Sequence, residues 1–83
     1  MTMATLNSKF MYAQKLEMLP GRMTAMYAIR NLKSNDLLGN VEWYGAWRQY
    51  CFQPEEGCVF SAGCLKDIEA FLAALMAERK SGT

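Results

Sequence analysis

Apolar residues near the C-terminus recur at the three- and four-residue spacing of an α-helix. Between Ala62 and Lys80 the charged side chains fall on other faces, and the alanines favour helix. Ser61 is placed to cap the N-terminus of this helix, and Gly82 follows the basic residues Arg79 and Lys80 of its last turn. The pattern predicts an amphipathic helix over residues 61–80, with one apolar stripe for packing on a sheet: Cys64, Leu65, Ile68, Phe71, Leu72, Leu75 and Met76.

The middle of the chain consists of short strand-like runs separated by turn residues. We predict strands over residues 24–31, 38–44 and 47–53. The tetrapeptide "KSND" separates the first two, and Pro54 ends the third because proline cannot donate to a strand ladder. The expected fold is therefore α+β, a three-stranded antiparallel meander packed against the C-terminal helix.

The chain of 83 residues is close to the lower size limit for a domain with one apolar core, so we expect a single domain. The N-terminal stretch "SKFMYAQKLEML" mixes polar and apolar residues without a clear period, and both a short helix and an extended strand remain open. The expected organisation is an N-terminal segment over residues 1–22, a β-meander over 23–60 and the helix over 61–80.

The stretch "WYGAWRQYCF" combines the second and third predicted strands with the turn between them. Glycine followed by one residue is typical of a two-residue type II′ hairpin, which would pair Tyr44 with Trp47 and Trp43 with Arg48. Opposite Trp43, the guanidinium of Arg48 could lie over the indole, and a direct partner contact is the alternative. Alternation then assigns one set of residues to the helix-facing side: Val41, Trp43, Arg48, Tyr50 and Phe52.

Two aromatic residues, Tyr44 and Trp47, are left on the polar side of the predicted sheet. An exposed Trp is costly in a small domain unless another element or a partner covers it, and Trp and Tyr are typical interface anchors. We predict a partner-binding site formed by Tyr44, Trp47 and Arg48. The alternative is that residues 1–22 fold over the two aromatic rings.

Composition excludes several function classes. Nine Lys and Arg residues against eight Asp and Glu residues give a net charge of +1, unlike the basic excess of most DNA binders or the acidity of a nucleic-acid mimic. The absence of histidine removes the commonest general base and metal ligand. The three cysteines lack the closely spaced pairs of structural zinc sites. We therefore expect no catalytic residues, no cofactor and no metal, and a protein that is not an enzyme.

Cysteine usage and hydropathy bear on location. Cys51, Cys58 and Cys64 are an odd number without a CxxC pair, which is typical of reduced cytoplasmic thiols. The N-terminus lacks the apolar run of a signal peptide, and no stretch is long and apolar enough to span a membrane. We expect a cytoplasmic location. The predicted strand pairing places Cys51 and Cys64 on opposite faces of the sheet, where they cannot form a disulfide, and Cys58 is the partner that either could reach.

The segments "LLGNVEWYGAWRQYCFQP" and "VFSAGCLKDIEAFL" resemble small proteins of bacteriophages and prophages that share the pattern W-Y-G-x-W-R-x-Y-C-F-x-P followed by F-x-x-G-C-L-x-x-I. The resemblance covers residues 38–72. It implies a phage accessory protein acting inside a bacterial cell, and it transfers no catalytic or cofactor residues.

Size, the implied phage context and the lack of catalytic groups are similar to those of anti-CRISPR inhibitors. By this analogy the chain binds a CRISPR effector or surveillance complex and blocks target DNA binding or cleavage. The alternative is a nucleic-acid-binding accessory protein that stacks single-stranded bases on its exposed aromatics. In that case nearby cations would contact the phosphates: Arg22, Arg30, Lys33 and Arg48. The near-neutral net charge disfavours this alternative.

Overall fold

A computed structural model describes residues 4–16 and 24–81 of the chain. It contains four strands in one antiparallel sheet of order β1-β2-β3-β4, followed by one helix, which confirms the α+β prediction. The prediction of three strands is wrong by one strand, because the N-terminal segment also joins the sheet. The elements are β1 Met11–Lys15, β2 Tyr27–Asn31, β3 Leu37–Tyr44, β4 Gln49–Pro54 and α1 Ala62–Ser81.

The additional strand, β1, forms one edge of the sheet and pairs with β2, with Met11 opposite Asn31 and Lys15 opposite Tyr27. Its side chains alternate between the two faces of the sheet. Met11 is buried in the core and Ala13 packs against it, whereas Tyr12 and Gln14 point to the other face and Lys15, at the end of the strand, is exposed. Only these two apolar side chains mark the inner face, which is why the sequence pattern left a helix and a strand equally open.

The core is a single layer between the inner face of the sheet and α1. The ring of Phe71 meets that of Tyr27 edge to face, with centroids 5.2 Å apart, and this contact joins the helix to β2. The predicted helix stripe therefore meets the sheet, except at Leu65, which is 51% exposed and was wrongly assigned to the packing side. The buried core cluster comprises Met11, Ile29, Val41, Ile68, Phe71 and Leu75.

Helix α1 begins at a side-chain cap. The backbone N–H of Cys64 donates to Ser61 Oγ at 3.2 Å, and the N–H of Leu65 donates to the Ser61 carbonyl at 3.0 Å. The predicted N-cap is thus confirmed, because it satisfies a donor that the first helical turn would otherwise leave unpaired. The helix extends one residue beyond the predicted end, to Ser81.

A close contact between strands β3 and β4 requires glycine at position 39. A Cβ atom there would lie 2.6 Å from the Gln53 carbonyl oxygen and 2.6 Å from the Phe52 ring. The ring of Phe52 fills this space and also meets Phe60 edge to face, with centroids 5.3 Å apart. Gly39 therefore lets Phe52 close the core beneath the segment that leads into α1.

Candidate functional site

The connection between β3 and β4 is a four-residue loop over residues 45–48, with Tyr44 opposite Gln49. The prediction of a two-residue type II′ turn is wrong. A type II′ turn needs a positive φ at its first central residue, which would be Gly45. Gly45 does not have a positive φ, and the loop residue that does is Arg48, at 54°. Two hydrogen bonds hold the loop, from Trp47 N–H to the Tyr44 carbonyl at 3.2 Å and from Arg48 N–H to the Gly45 carbonyl at 3.3 Å.

The longer loop shifts the pairing of the two strands by two residues relative to the prediction. Val41 lies opposite Phe52, and Trp43 lies opposite Tyr50. A shift of one residue would exchange the two faces, whereas a shift of two leaves every strand residue on its predicted face. The assignment of these four residues to the helix side is therefore confirmed, and only Arg48 moves out of the sheet into the loop.

The predicted stacking of Arg48 on Trp43 is wrong, because another arginine occupies the indole face. The guanidinium carbon of Arg79 lies 4.0 Å from the Trp43 ring centroid. The Tyr50 ring meets Trp43 edge to face, with centroids 5.5 Å apart. Arg79 follows Leu75 by four residues and therefore lies on the same side of α1 as the apolar stripe. This spacing is the sequence signal from which the contact with Trp43 could have been predicted.

The two aromatic residues at the end of the hairpin contact each other. The rings of Tyr44 and Trp47 lie edge to face with centroids 5.1 Å apart and an interplanar angle of 86°. Trp47 remains 67% exposed and Tyr44 41% exposed. We call Tyr44, Trp47 and Arg48 the tip surface. The structure thus brings together the three residues that the sequence nominated for partner binding.

The N-terminal segment does not cover the tip surface over its described part. Strand β1 lies at the opposite edge of the sheet from β4. Ala4 and Leu6 pack against the core, and the N–H of Ala4 donates to Glu78 Oε2 at 2.6 Å. The alternative that residues 1–22 shield the aromatic pair is therefore wrong for residues 4–16, while residues 1–3 and 17–22 lie outside the described part of the chain.

Of the cations invoked for nucleic-acid binding that the structure describes, Arg48 belongs to the tip surface, whereas Arg30 and Lys33 lie away from it. Arg30 pairs with Leu37 at the start of β3, whereas Tyr44 ends that strand seven residues later, a separation of roughly 23 Å along an extended chain. Arg30 is also engaged locally, donating to Gln14 Oε1 at 2.9 Å and to the Asn35 carbonyl at 3.0 Å. Lys33 lies in the turn beyond it, and Arg22 falls outside the described residues.

The three cysteines are free thiols and half-buried. Cys51 lies opposite Glu42 on the outer face of the sheet, whereas Cys64 packs against the core on the inner side. The expected placement of these two thiols on opposite faces is confirmed. Cys58 lies in the connection before α1, with its Sγ 3.9 Å from the Leu37 carbonyl oxygen. Among the described residues no group of cysteine and acidic side chains is arranged to hold a metal ion.

Two tyrosines on the inner face are perturbed by their surroundings. Burial raises the pKa of Tyr27, and its neighbours Tyr50 and Glu78 raise it further. Burial also raises the pKa of Tyr50, where the positive charge of Arg79 lowers it and the negative charge of Glu78 raises it. Because both phenols face the helix rather than the tip surface, their perturbation belongs to the packing of α1 on the sheet.

Comparison with known proteins places the chain among phage proteins. An uncharacterized 9.3 kDa protein of Acholeplasma phage L2 is 33% identical over 61 residues, which are 74% of this chain and 78% of the phage protein. The chain belongs to the same family as this phage protein. No protein-family model and no solved structure matches the chain. Over residues 4–16 and 24–81 the structure has no helix with the length and apolarity needed to cross a bilayer.

Proposed function

We propose that this chain is a non-enzymatic phage accessory protein that binds a protein complex of the bacterial host through the tip surface. The observation that carries the proposal is the exposed Trp47, braced by Tyr44 at the end of the β3–β4 hairpin. Trp, Tyr and Arg are the residue types most enriched among energetically dominant interface residues. The tip surface brings one of each together at the end of the β3–β4 hairpin.

The hairpin end orients the rings of Tyr44 and Trp47 before any partner arrives. Two backbone hydrogen bonds connect the loop residues to each other, and the edge-to-face contact limits the rotation of Trp47. Side chains that are already ordered lose less conformational entropy on binding, so more of the contact energy remains as affinity. The tip surface is therefore suited to act as an anchor rather than as an adaptable loop.

A CRISPR effector or surveillance complex is the target that we propose. Family membership with a small phage protein supports a role in the encounter between phage and host. The residues of the tip surface are also part of the W-Y-G-x-W-R run that carries the resemblance to phage and prophage proteins. A net charge of +1 favours binding to a protein surface over imitation of DNA.

The proposal is tested with the purified chain and purified CRISPR effector complexes loaded with a guide. We expect the chain to bind one of these complexes and to reduce its capture or cleavage of target DNA. Bacteria that express the chain should then lose CRISPR protection against a targeted phage. A chain that binds none of the tested complexes, in cells whose CRISPR protection is unimpaired, would contradict the assignment of the target.

The role of the tip surface is tested by the variant Trp47→Ala. Because Trp47 is mostly exposed, the thermal midpoint should stay near that of the wild type, while partner affinity falls by about 2 kcal/mol or more. Val59→Ala is the matched control, since Val59 is 92% exposed and lies outside the hairpin. If both variants bind like the wild type, the tip surface is not the interface.

Binding to single-stranded oligonucleotides is measured in parallel, because exposed aromatics also stack on bases. The separation of Arg30 and Lys33 from the tip surface leads us to expect no binding at physiological salt. Salt-sensitive affinity for an oligonucleotide that is lost in Trp47→Ala would replace the protein-binding proposal with the nucleic-acid one.

A further inference from the structure

The two edges of the sheet differ in what they offer to another strand. At β4, strand alternation turns the backbone groups of Tyr50, Phe52 and Pro54 away from β3. The N–H of Tyr50 donates to Met76 Sδ at 3.5 Å, and Pro54 has no N–H to offer. Proline and coverage by a helix are two ways in which proteins block an edge strand. The β4 edge is thus closed at two of its three outward-facing residues, while over the described residues the N–H of Phe52 has no bonded acceptor.

Over residues 4–16 and 24–81, no other strand pairs with the β1 edge. Two backbone hydrogen bonds at the ends of β1 show which of its residues face β2. The Leu32 N–H donates to the Phe10 carbonyl and the Leu16 N–H donates to the Met26 carbonyl, both at 2.8 Å. The alternate residues Met11, Ala13 and Lys15 therefore direct their N–H and C=O groups away from the sheet. Ser8 Oγ accepts the N–H of Met11 at 3.3 Å. Over the described residues, no acceptor is bonded to the outward N–H groups of Ala13 and Lys15.

We propose that a second copy of this chain pairs with the β1 edge, so that two β1 strands run antiparallel about a twofold axis at Ala13. In this register Ala13 faces Ala13 of the second copy, and Met11 faces its Lys15. Ala13 and Lys15 of each strand then donate their N–H groups to the ladder, and Met11 contributes its carbonyl, because its N–H is bonded to Ser8 Oγ. A register centred on Lys15 would place two like charges directly opposite each other, which is destabilising.

The exposed ring of Phe10 supports this choice of occupant. Phe10 precedes β1 and is 63% exposed. In the proposed register it faces Leu16 of the second copy, a half-buried apolar residue, so pairing would cover both. The pairing uses the same edge of each copy, and the remaining β4 edges are closed at two of their three outward-facing residues. A closed dimer is therefore expected rather than an open-ended fibre.

Sedimentation velocity of the full chain over a range of concentrations tests the proposal, together with hydrogen exchange of individual amides. We expect a reversible monomer–dimer equilibrium in which protection of the Ala13 and Lys15 amides rises with concentration. Ala13→Pro removes an outward N–H that the monomer does not use, so it should remain folded and become monomeric. Ala13→Val retains the N–H and should still dimerise.

Two further variants separate loss of pairing from loss of folding. Tyr12→Pro removes an N–H that faces β2 and should destabilise the sheet itself. Its loss of stability shows how much a proline costs when it breaks a hydrogen bond within the monomer, for comparison with Ala13→Pro. Phe10→Ser leaves every backbone group in place and should raise the dimer dissociation constant by about tenfold or more. If Ala13→Pro fails to fold, the Phe10→Ser result decides.

Three outcomes would overturn the proposal. The first is a chain that stays monomeric, with unprotected Ala13 and Lys15 amides, at every concentration. The second is a dimer that forms equally well in Ala13→Pro and Phe10→Ser, which would place the interface elsewhere. The third is growth into species larger than a dimer, which would contradict twofold closure through β1.

Discussion

The indole of Trp43 is held by two different kinds of contact, the guanidinium of Arg79 over its face and the Tyr50 ring at its edge. Trp43 is half-buried and Arg79 is exposed, so the stacking lies at the border between core and solvent. The aliphatic part of an arginine covers apolar surface while its charged end stays in water. At the scale of single residues, this contact fastens the last turns of α1 to the β3–β4 hairpin.

A double-mutant cycle measures the strength of this contact. Trp43→Ala removes both ring contacts and should cost about 2–3 kcal/mol, less than for a fully buried Trp. Arg79→Ala should cost about 1 kcal/mol, and the coupling between the two changes should be about 0.5–2 kcal/mol. Urea denaturation of the four proteins gives the cycle. Arg48→Ala is the control, and it should show no coupling to Trp43 because the structure places Arg48 in the loop. Measurable coupling between Arg48 and Trp43 would instead support the predicted two-residue turn.

Glycines 39 and 45 of the hairpin provide a matched pair of substitutions at the residue scale. Gly39→Ala would bring a Cβ to 2.6 Å from both the Gln53 carbonyl oxygen and the Phe52 ring, and it should cost about 2–3 kcal/mol of stability. Gly45→Ala meets nothing within 4 Å and should change stability by less than about 0.5 kcal/mol. Equal thermal midpoints for the two variants would show that β3 and β4 do not approach as closely as described.

At the scale of elements, helix α1 could be predicted because its 20 residues repeat the same spacing over several turns and begin at a recognisable cap. Strand β1 could not, since five residues give little periodicity and its partner β2 follows only after an intervening segment. The hairpin loop was misassigned for a local reason. Its shape depends on a positive φ at Arg48, which residue preferences disfavour and only the strand pairing reveals.

The candidate site shows the same division. Alternation alone predicts the sheet faces of Tyr44, Trp43 and Tyr50 correctly. The wrong loop length does not change these faces, because it shifts the strand pairing by two residues. The predicted position of Arg48 in the sheet is wrong, because Arg48 lies in the loop and strand alternation does not apply to loop residues. The gathering of Tyr44, Trp47 and Arg48 at the hairpin end could thus be predicted, whereas their mutual geometry required the structure.

Removal of the helix cap is a prediction at the element scale. Ser61→Ala deletes the oxygen that accepts the Cys64 N–H and should lower stability by about 1 kcal/mol. Ser61→Asp should restore most of the loss, because aspartate is also a good N-cap and its negative charge favours the helix N-terminus. Denaturant midpoints of the two variants decide. A wild-type midpoint for Ser61→Ala would mean that water replaces the cap without cost.

At the scale of the whole molecule, the two proposed interaction surfaces lie apart. The tip surface is at the loop between β3 and β4, and the dimer edge is at β1 on the other side of the sheet. Pairing through β1 would therefore leave both tip surfaces of a dimer available. Two linked sites on one particle raise the apparent affinity for a target that presents two copies of its own site. Ala13→Pro should accordingly weaken binding to such a target more than to a single-site target.

The layer between sheet and helix also determines how the fold responds to alkaline pH. Burial raises the pKa values of Tyr27 and Tyr50 in the folded chain above that of free tyrosine. Above about pH 10 the unfolded chain loses these phenolic protons while the folded chain keeps them. Their contribution to stability is therefore complete below that pH and is lost as the pH rises through the raised pKa values. Urea midpoints at about pH 8 and above about pH 10 should show this loss, and the double variant Tyr27→Phe/Tyr50→Phe should show a smaller one. An equal alkaline loss in the double variant would assign the effect to the lysines instead.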